Sequence, residues 1–275
     1  MSTSIGWRLL KAFTVLVYAF LFAPIVVVVV LAFNSANVGT FPISGVSLKW
    51  FAKLWENEAI VGAFLNSLLL GVLTAVIGTA VSMLAAIALV RYTVRGRKAI
   101  GTLIVAPLLV PETVLAVGLL LLLRILDLPR TFGLLLAGHV LITLPFSAMV
   151  IQAHLASLGR TWEEAAASLG ASPFAVLREV TLPLSLPAIV AALLFAFTIS
   201  FDNLTASLFW RPSGVETVPT QVFAMLRDSV SPEINALGTV MILITLSVSL
   251  LAGVLRKFAS ATGGGRGRRP DPPTP

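Results

Sequence analysis

The sequence predicts an all-α, polytopic membrane protein with six transmembrane helices and one long polar loop on the cytoplasmic side. Three observations lead there. Hydrophobic residues fill 57% of the 275 positions and charged residues 11%, with a mean hydropathy of +0.99, whereas a soluble globular domain carries about 25% charged residues. Six apolar stretches are long enough to cross, because about 20 residues rising about 1.5 Å each span a hydrocarbon core of about 30 Å. The basic residues collect at the ends of those stretches and not on one amphipathic face, so the formal net charge of +7 speaks for orientation in a bilayer and against nucleic acid. The absence of cysteine excludes disulfides, thiolate metal centres and cysteine nucleophiles.

The first span, 12–33, follows a short N-terminal segment, 1–11. It is charge-free and too long for the apolar core of a secretory signal, and no small-x-small cleavage site follows, so it is expected to be retained. The second, 67–90, continues an apolar run that begins near Ala59, whose first turns around Phe64 and Asn66 are expected to lie along the outer interface before the chain turns inward. Spans at 99–123, 131–153, 187–208 and 234–255 complete a transmembrane domain of residues 12–258, with a polar loop at 154–186. The remaining 259–275, with its glycines, arginines and prolines, is a disordered basic tail by composition, its arginines suited to anionic lipid.

Lysine and arginine set the direction. The N-terminus, the 91–98 loop, the 154–186 loop and the tail hold thirteen of the 19, and the alternate loops hold six: Lys49, Lys53, Arg124, Arg130, Arg211 and Arg227. Both termini and the 154–186 loop therefore face the cytoplasm of a cell whose inner membrane carries the chain. Two outer segments, Asn34–Asn66 and Asn203–Glu233, are longer than connectors need to be. Trp50, Phe51 and Trp55 in the first of them either anchor at the headgroups or dock a partner.

The 154–186 loop cannot lie in hydrocarbon with Trp162, Glu163, Glu164, Arg178 and Glu179 in it. Thr161-Trp162-Glu163-Glu164 fits a capping box that would start a short helix, and Trp162, Ala165, Ala166 and Leu169 share one face of it. Gly170 supplies a left-handed end, Ser172-Pro173 caps and opens a second helix, and Leu182-Pro183 and Leu186-Pro187 return the chain to the bilayer. The expected product is a stiff knob of helix, glycine turn and helix.

At these residues the chain resembles the permease subunits of ABC importers, whose cytoplasmic signature is E-A-A-x-x-x-G followed by nine residues and I-x-L-P. The matching positions are Glu164, Ala165, Ala166, Gly170, Leu182 and Pro183, with Val180 where isoleucine is usual. The resemblance implies that the knob is a coupling helix seated in a groove of an ATP-hydrolysing subunit, with Glu164 and Gly170 its most sensitive positions. The chain has no G-x-x-x-x-G-K-[ST] phosphate loop, and its Gly263–Gly267 run lacks the lysine and the strand-helix setting. It is expected to be a non-catalytic subunit without a cofactor, moved between inward-open and outward-open states by an ATPase dimer and forming half of the pathway with a second permease chain.

Polar groups inside the spans mark the route. Counted from the cytoplasmic ends at about 1.5 Å per residue, Glu112 and Asp202 lie about 20 and 22 Å deep, and His139 enters about 12 Å from outside. Two carboxylates and an imidazole at one depth, with no lysine or arginine inside the spans, suit a cationic substrate or a gate. The structural alternatives are that Glu112 accepts amides freed where Pro107 and Pro111 break a helix, that Asp202-Asn203 caps a helix end, and that His139 bonds a neighbouring backbone.

A second resemblance concerns the solute. Asn66-Ser67-Leu68, Pro111-Glu112, Ser200-Phe201-Asp202-Asn203, Phe209, Pro219, Val222-Phe223, Arg227 and Ser231-Pro232-Glu233-Ile234-Asn235-Ala236 are similar to spermidine/putrescine permeases, although Asp202-Asn203 stands where polyamine members often have paired aspartates. This implies a polyamine such as spermidine or putrescine, delivered by an extracytoplasmic solute-binding protein. The alternatives are another solute of the same family, such as an opine, thiosulfate or ferric iron, and a secondary transporter driven by an ion gradient at Glu112 and Asp202. No H-E-x-x-H, aspartate pair or serine-lysine dyad supports catalysis.

Overall fold

A computed structural model describes residues 5–37, 39, 41–228 and 231–263. Among these are twelve α-helices, and the only extended pairing is an isolated bridge between Asn34 and Val46. Five helices are long and apolar enough to cross a membrane, or six when one bent pair is taken as a single span. The helices belong to two compact units: one holds the chain up to Ser67 together with Gly214–Thr245, the other Leu68–Ser213 and the chain from Leu246.

In the first unit, α1 (Ile5–Ala32) begins inside the segment expected to precede the first span, and includes Arg8 and Lys11. Only Leu31 and Ala32 of it are buried, which suits a helix that is apolar on every side and meets lipid. The chain then folds on itself. Asn34 Oδ1 accepts the N–H groups of Ala36 and Ser44, each at 3.1 Å, and the Asn34 carbonyl accepts the indole N–H of Trp50 at 2.7 Å. These bonds seat α2 (Lys49–Glu56) with Trp50 and Leu54 in a core with Ala32, Ile60, Val218 and Leu237. Trp50 is thus a core residue and not a headgroup anchor, while Trp55 is exposed.

α3 (Glu58–Arg91) is one helix of 34 residues, about 51 Å long. The expected turn near Asn66 is absent, because no proline interrupts 58–91 and the helical pattern runs on. Asn66 donates to the Glu216 carbonyl at 3.0 Å and Ser67 Oγ accepts the Val218 N–H at 2.8 Å, which fixes the start of α11 (Val218–Asp228). α12 (Glu233–Gly263) continues past the expected span into the segment expected to be disordered. Residues 264–275 of that tail, and residues 1–4, lie outside the described residues.

The second unit departs from the expected spans at two breaks. Residues 99–123 do not form one straight helix: α4 (Arg97–Val105) and a 3₁₀ turn (Ala106–Leu109) are followed at Pro111 by α5 (Glu112–Ile125), bent by 106°. Pro111 takes an extended ψ of 132° and cannot donate a helical hydrogen bond, so the helix must restart after it. α6 (Phe132–Leu158) runs through the expected fourth span. The expected fifth span, 187–208, is divided: α9 (Leu182–Phe201) ends at Asp202 and α10 (Leu204–Trp210) starts anew. α9 lays Ala188, Ala192 and Ala196 in a buried stripe at four-residue spacing, and small residues at that spacing let two helices approach closely in a membrane.

Candidate functional site

The knob is built on the second unit. Gly159, at φ +68°, ends α6 and frees the chain to start α7 (Thr161–Ser168). The expected capping box does not form. Arg160, not Thr161, precedes the first helical residue, and its backbone carbonyl accepts the Glu164 N–H at 2.9 Å. The cause is a longer-range contact: the Arg160 guanidinium donates to the carbonyls of Val90 and Arg91, at 3.3 and 2.7 Å, and so closes the C-terminal end of α3.

Glu163 and Glu164 are adjacent but differ in surroundings. Arg91 Nε lies 2.8 and 3.0 Å from the two Glu163 carboxylate oxygens, and Thr181 Oγ1 donates to the same carboxylate at 2.8 Å. The Arg91 and Glu163 side chains are only 9% and 15% exposed. Glu164 is exposed, and its carboxylate has no partner among the described residues. Charge-assisted pairs of this kind are short and about twice as strong as neutral ones.

Gly170 ends α7 as expected, at φ +87°. Its N–H reaches the Ala167 carbonyl at 2.9 Å, and the Ala171 N–H reaches that of Ala166 at 3.1 Å, the pair of bonds that a left-handed glycine cap makes. A Cβ at Gly170 would meet nothing within 4 Å, so the requirement is backbone conformation and not crowding. Ser172 Oγ then accepts the Ala175 N–H at 3.2 Å and Pro173 opens α8 (Pro173–Val176), also as expected. α8 is a single turn that passes through a π turn, Leu177–Thr181, directly into α9. The wider turn precedes Pro183, whose ring in an α-helix would collide with the carbonyl four residues back.

Of the motif residues, Glu164, Ala165, Gly170, Leu182 and Pro183 are exposed, and Ala166 and Val180 are half-buried. None of α7 is buried, and Trp162, Leu169 and Phe174 are 65%, 90% and 71% exposed. A cleft of about 450 Å³ runs beside them, lined by Arg91, Tyr92, Glu163, Ala167 and Phe174 among others.

The second polar group gathers at the two breaks. Asn203 caps α10 by accepting the Ala206 N–H at 2.7 Å, while its amide nitrogen donates to Glu112 Oε1 at 2.6 Å. Glu112 therefore accepts from a side chain and not from amides freed at Pro111. Asp202 occupies the C-cap of α9 beside it, and both carboxylates are exposed. His139 is fully buried behind them: its Nδ1 lies 2.8 Å from Ser200 Oγ and its Nε2 3.3 Å from Ser207 Oγ, and Ser200 bonds Thr74 at 3.2 Å. The His139 ring does not bond a neighbouring backbone: both of its nitrogens face serine hydroxyls. Trp210 completes the arrangement, donating to the Ala116 carbonyl at 2.8 Å and lying where a Cβ on Gly138 would come within 2.1 Å of its ring. Among the described residues no cluster of His, Asp or Glu is arranged to hold a metal.

Sequence reasoning gives Arg91, Arg160 and Thr181 no part in a site, Asn203 a place at a helix cap, and Glu163 a place in the polar loop. Their partners lie 18 to 91 residues away in the chain. Only Arg91, the first charge after a long apolar run, carried a local signal.

Apolar helices, a bare helical knob and a pair of broken helices with exposed carboxylates define a multi-span transport protein. Residues 78–261 match the family of binding-protein-dependent transport system inner membrane components, and the chain belongs to that family. It is 35% identical over 247 residues to the spermidine/putrescine transport system permease protein PotC of Haemophilus influenzae, covering 90% of this chain and 96% of that one. It is 35% identical over 243 residues to the putrescine transport system permease protein PotI of Escherichia coli, covering 86% and 85%. In fold it is similar to a chain of a bacterial ABC transporter that imports the polysaccharide alginate, with TM-score 0.71, 19% identity and coverage of 91% and 96%. The relatives are permease subunits, and this chain is likewise an all-helical membrane permease component.

Proposed function

We propose that the chain is the permease half of an ABC importer whose 159–181 knob faces the cytoplasm and is seated in a separate ATPase subunit. The observation that carries this reading is the uncovered α7–Gly170–α8 element. It bears the motif Glu164, Ala165, Ala166 and Gly170, with Trp162, Leu169 and Phe174 left in the open. The excess of lysine and arginine on the same side supports the inward orientation, with both termini cytoplasmic. A second permease chain, an ATPase dimer and an extracytoplasmic solute-binding protein complete the assembly. ATP-driven closure of the dimer draws two knobs together and rocks the permease halves about the route.

The proposed solute is a polyamine. The relatives named for spermidine and putrescine support it, as do two exposed carboxylates at the broken helices, Glu112 and Asp202, which would attract a cation. Glu112 and Asp202 act as contacts or gate, and His139 supports them from behind.

The decisive experiment is Gly170→Val in the assembled transporter. A β-branched residue at φ +87° is strained by about 1–2 kcal/mol and redirects the knob. Uptake of radiolabelled putrescine should be lost while the chain still inserts in the membrane. Normal uptake by this variant would remove the coupling role.

A further inference from the structure

We infer that Arg91, Glu163 and Thr181 form the strut through which motion of the knob reaches α3 and α9. The inference rests on the coupling reading above and adds the residues that carry the load.

α7 contains no buried residue, so apolar packing cannot hold it to the rest of its unit. Glycines with positive φ stand at both of its ends, Gly159 and Gly170, and a Cβ at either would meet nothing within 4 Å. An eight-residue helix between two such joints would pivot unless it were tied. Two ties exist. Arg160 grips the carbonyls of Val90 and Arg91 from just outside the helix. Glu163, one turn from the end, is held on one side by Arg91 at the terminus of α3 and on the other by Thr181 in the π turn that opens into α9. That single carboxylate therefore joins three elements, and the low exposure of the Arg91–Glu163 pair shields it from screening by salt.

The two neighbouring glutamates then divide the work. Glu164, exposed and without a side-chain partner among the described residues, is available to the motor. Glu163 faces the permease itself and acts as a positioning residue. Charge without hydrogen-bond reach will not replace it, because the Thr181 hydroxyl and Arg91 Nε both require acceptor oxygens at that point.

The test uses the complete transporter in proteoliposomes, reading uptake of radiolabelled putrescine, ATP hydrolysis and retention of the ATPase subunit. E163Q should cut uptake about tenfold, the size of effect expected for a residue inside a coupling network, while ATP hydrolysis continues and the ATPase subunit stays bound. Thr181→Val should lower uptake and Thr181→Ser should not, which keeps the test decisive if E163Q fails to insert. The strut is overturned if E163Q transports normally while Gly170→Val does not, if E163Q releases the ATPase subunit, or if Thr181→Val and Thr181→Ser behave alike. If Gly170→Val and E163Q both transport normally, the coupling reading falls and the strut with it.

Discussion

The two polar breaks of the second unit handle negative charge in opposite ways. At the knob, Glu163 is neutralised by Arg91, bonded by Thr181 and largely withdrawn from solvent, while apolar side chains are left uncovered around it. At the α4–α5 and α9–α10 breaks Trp210 and His139 are completely buried, and carboxylates are left exposed. Glu112 there is held by a neutral asparagine, and among the described residues no cation pairs with it. A neutralised, buried charge holds geometry, and an uncompensated, exposed one keeps its field for a visitor. Under the proposed function, the first end transmits force and the second receives a cation.

This contrast can be broken at several points. The largest effect is expected from Gly138→Leu, since even a Cβ there would lie 2.1 Å from the Trp210 ring. Overpacking should cost about 3 kcal/mol or more, visible as loss of folded protein in detergent, with Trp210→Ala in the same chain restoring part of it. Next is Asn203→Asp, which removes a donor 2.6 Å from Glu112 and sets a second carboxylate against it. A loss of about 1–2 kcal/mol in thermal stability is expected at neutral pH. A variant as stable as the original would contradict the geometry.

Smaller still is Glu112→Gln, which keeps the hydrogen bond acceptor and removes the charge. The KM for putrescine uptake should rise about fivefold, corresponding to about 1 kcal/mol for one exposed charge, and added salt should narrow the gap between the two proteins. Equal KM values would mean that the carboxylate holds α10 and does not meet the solute. Least of all, Ser207→Ala removes the 3.3 Å contact to His139 and should cost about 0.5 kcal/mol in thermal unfolding, against about 1 kcal/mol for Ser200→Ala, whose hydroxyl makes two bonds.

The features that could be read from sequence are those decided within a few residues. Apolar length alone sets which segments cross, and Gly170 and Ser172-Pro173 punctuate the knob because the backbone there needs a left-handed residue and a capping oxygen whatever surrounds it. Where an expectation failed, a distant group had intervened. Thr161 lost the cap to Arg160 because the end of α3 offered that arginine two carbonyls. Trp50 left the expected membrane surface because Asn34 gave its indole a buried acceptor. The 106° bend was half-visible in Pro107 and Pro111, but uniform hydrophobicity across 99–123 hid that the two arms are separate helices. The joining of Glu112 to Asn203 and of Arg91 to Glu163 depends on which helices lie side by side, and no local pattern encodes that.

The seat of Trp210 on Gly138 ties two distant stretches of the gene together. An indole at the one position forbids a side chain at the other, so the two sites must be inherited as a single character. Shuffling segments between related permeases at a crossover between them would succeed only when both parents share that glycine and that tryptophan.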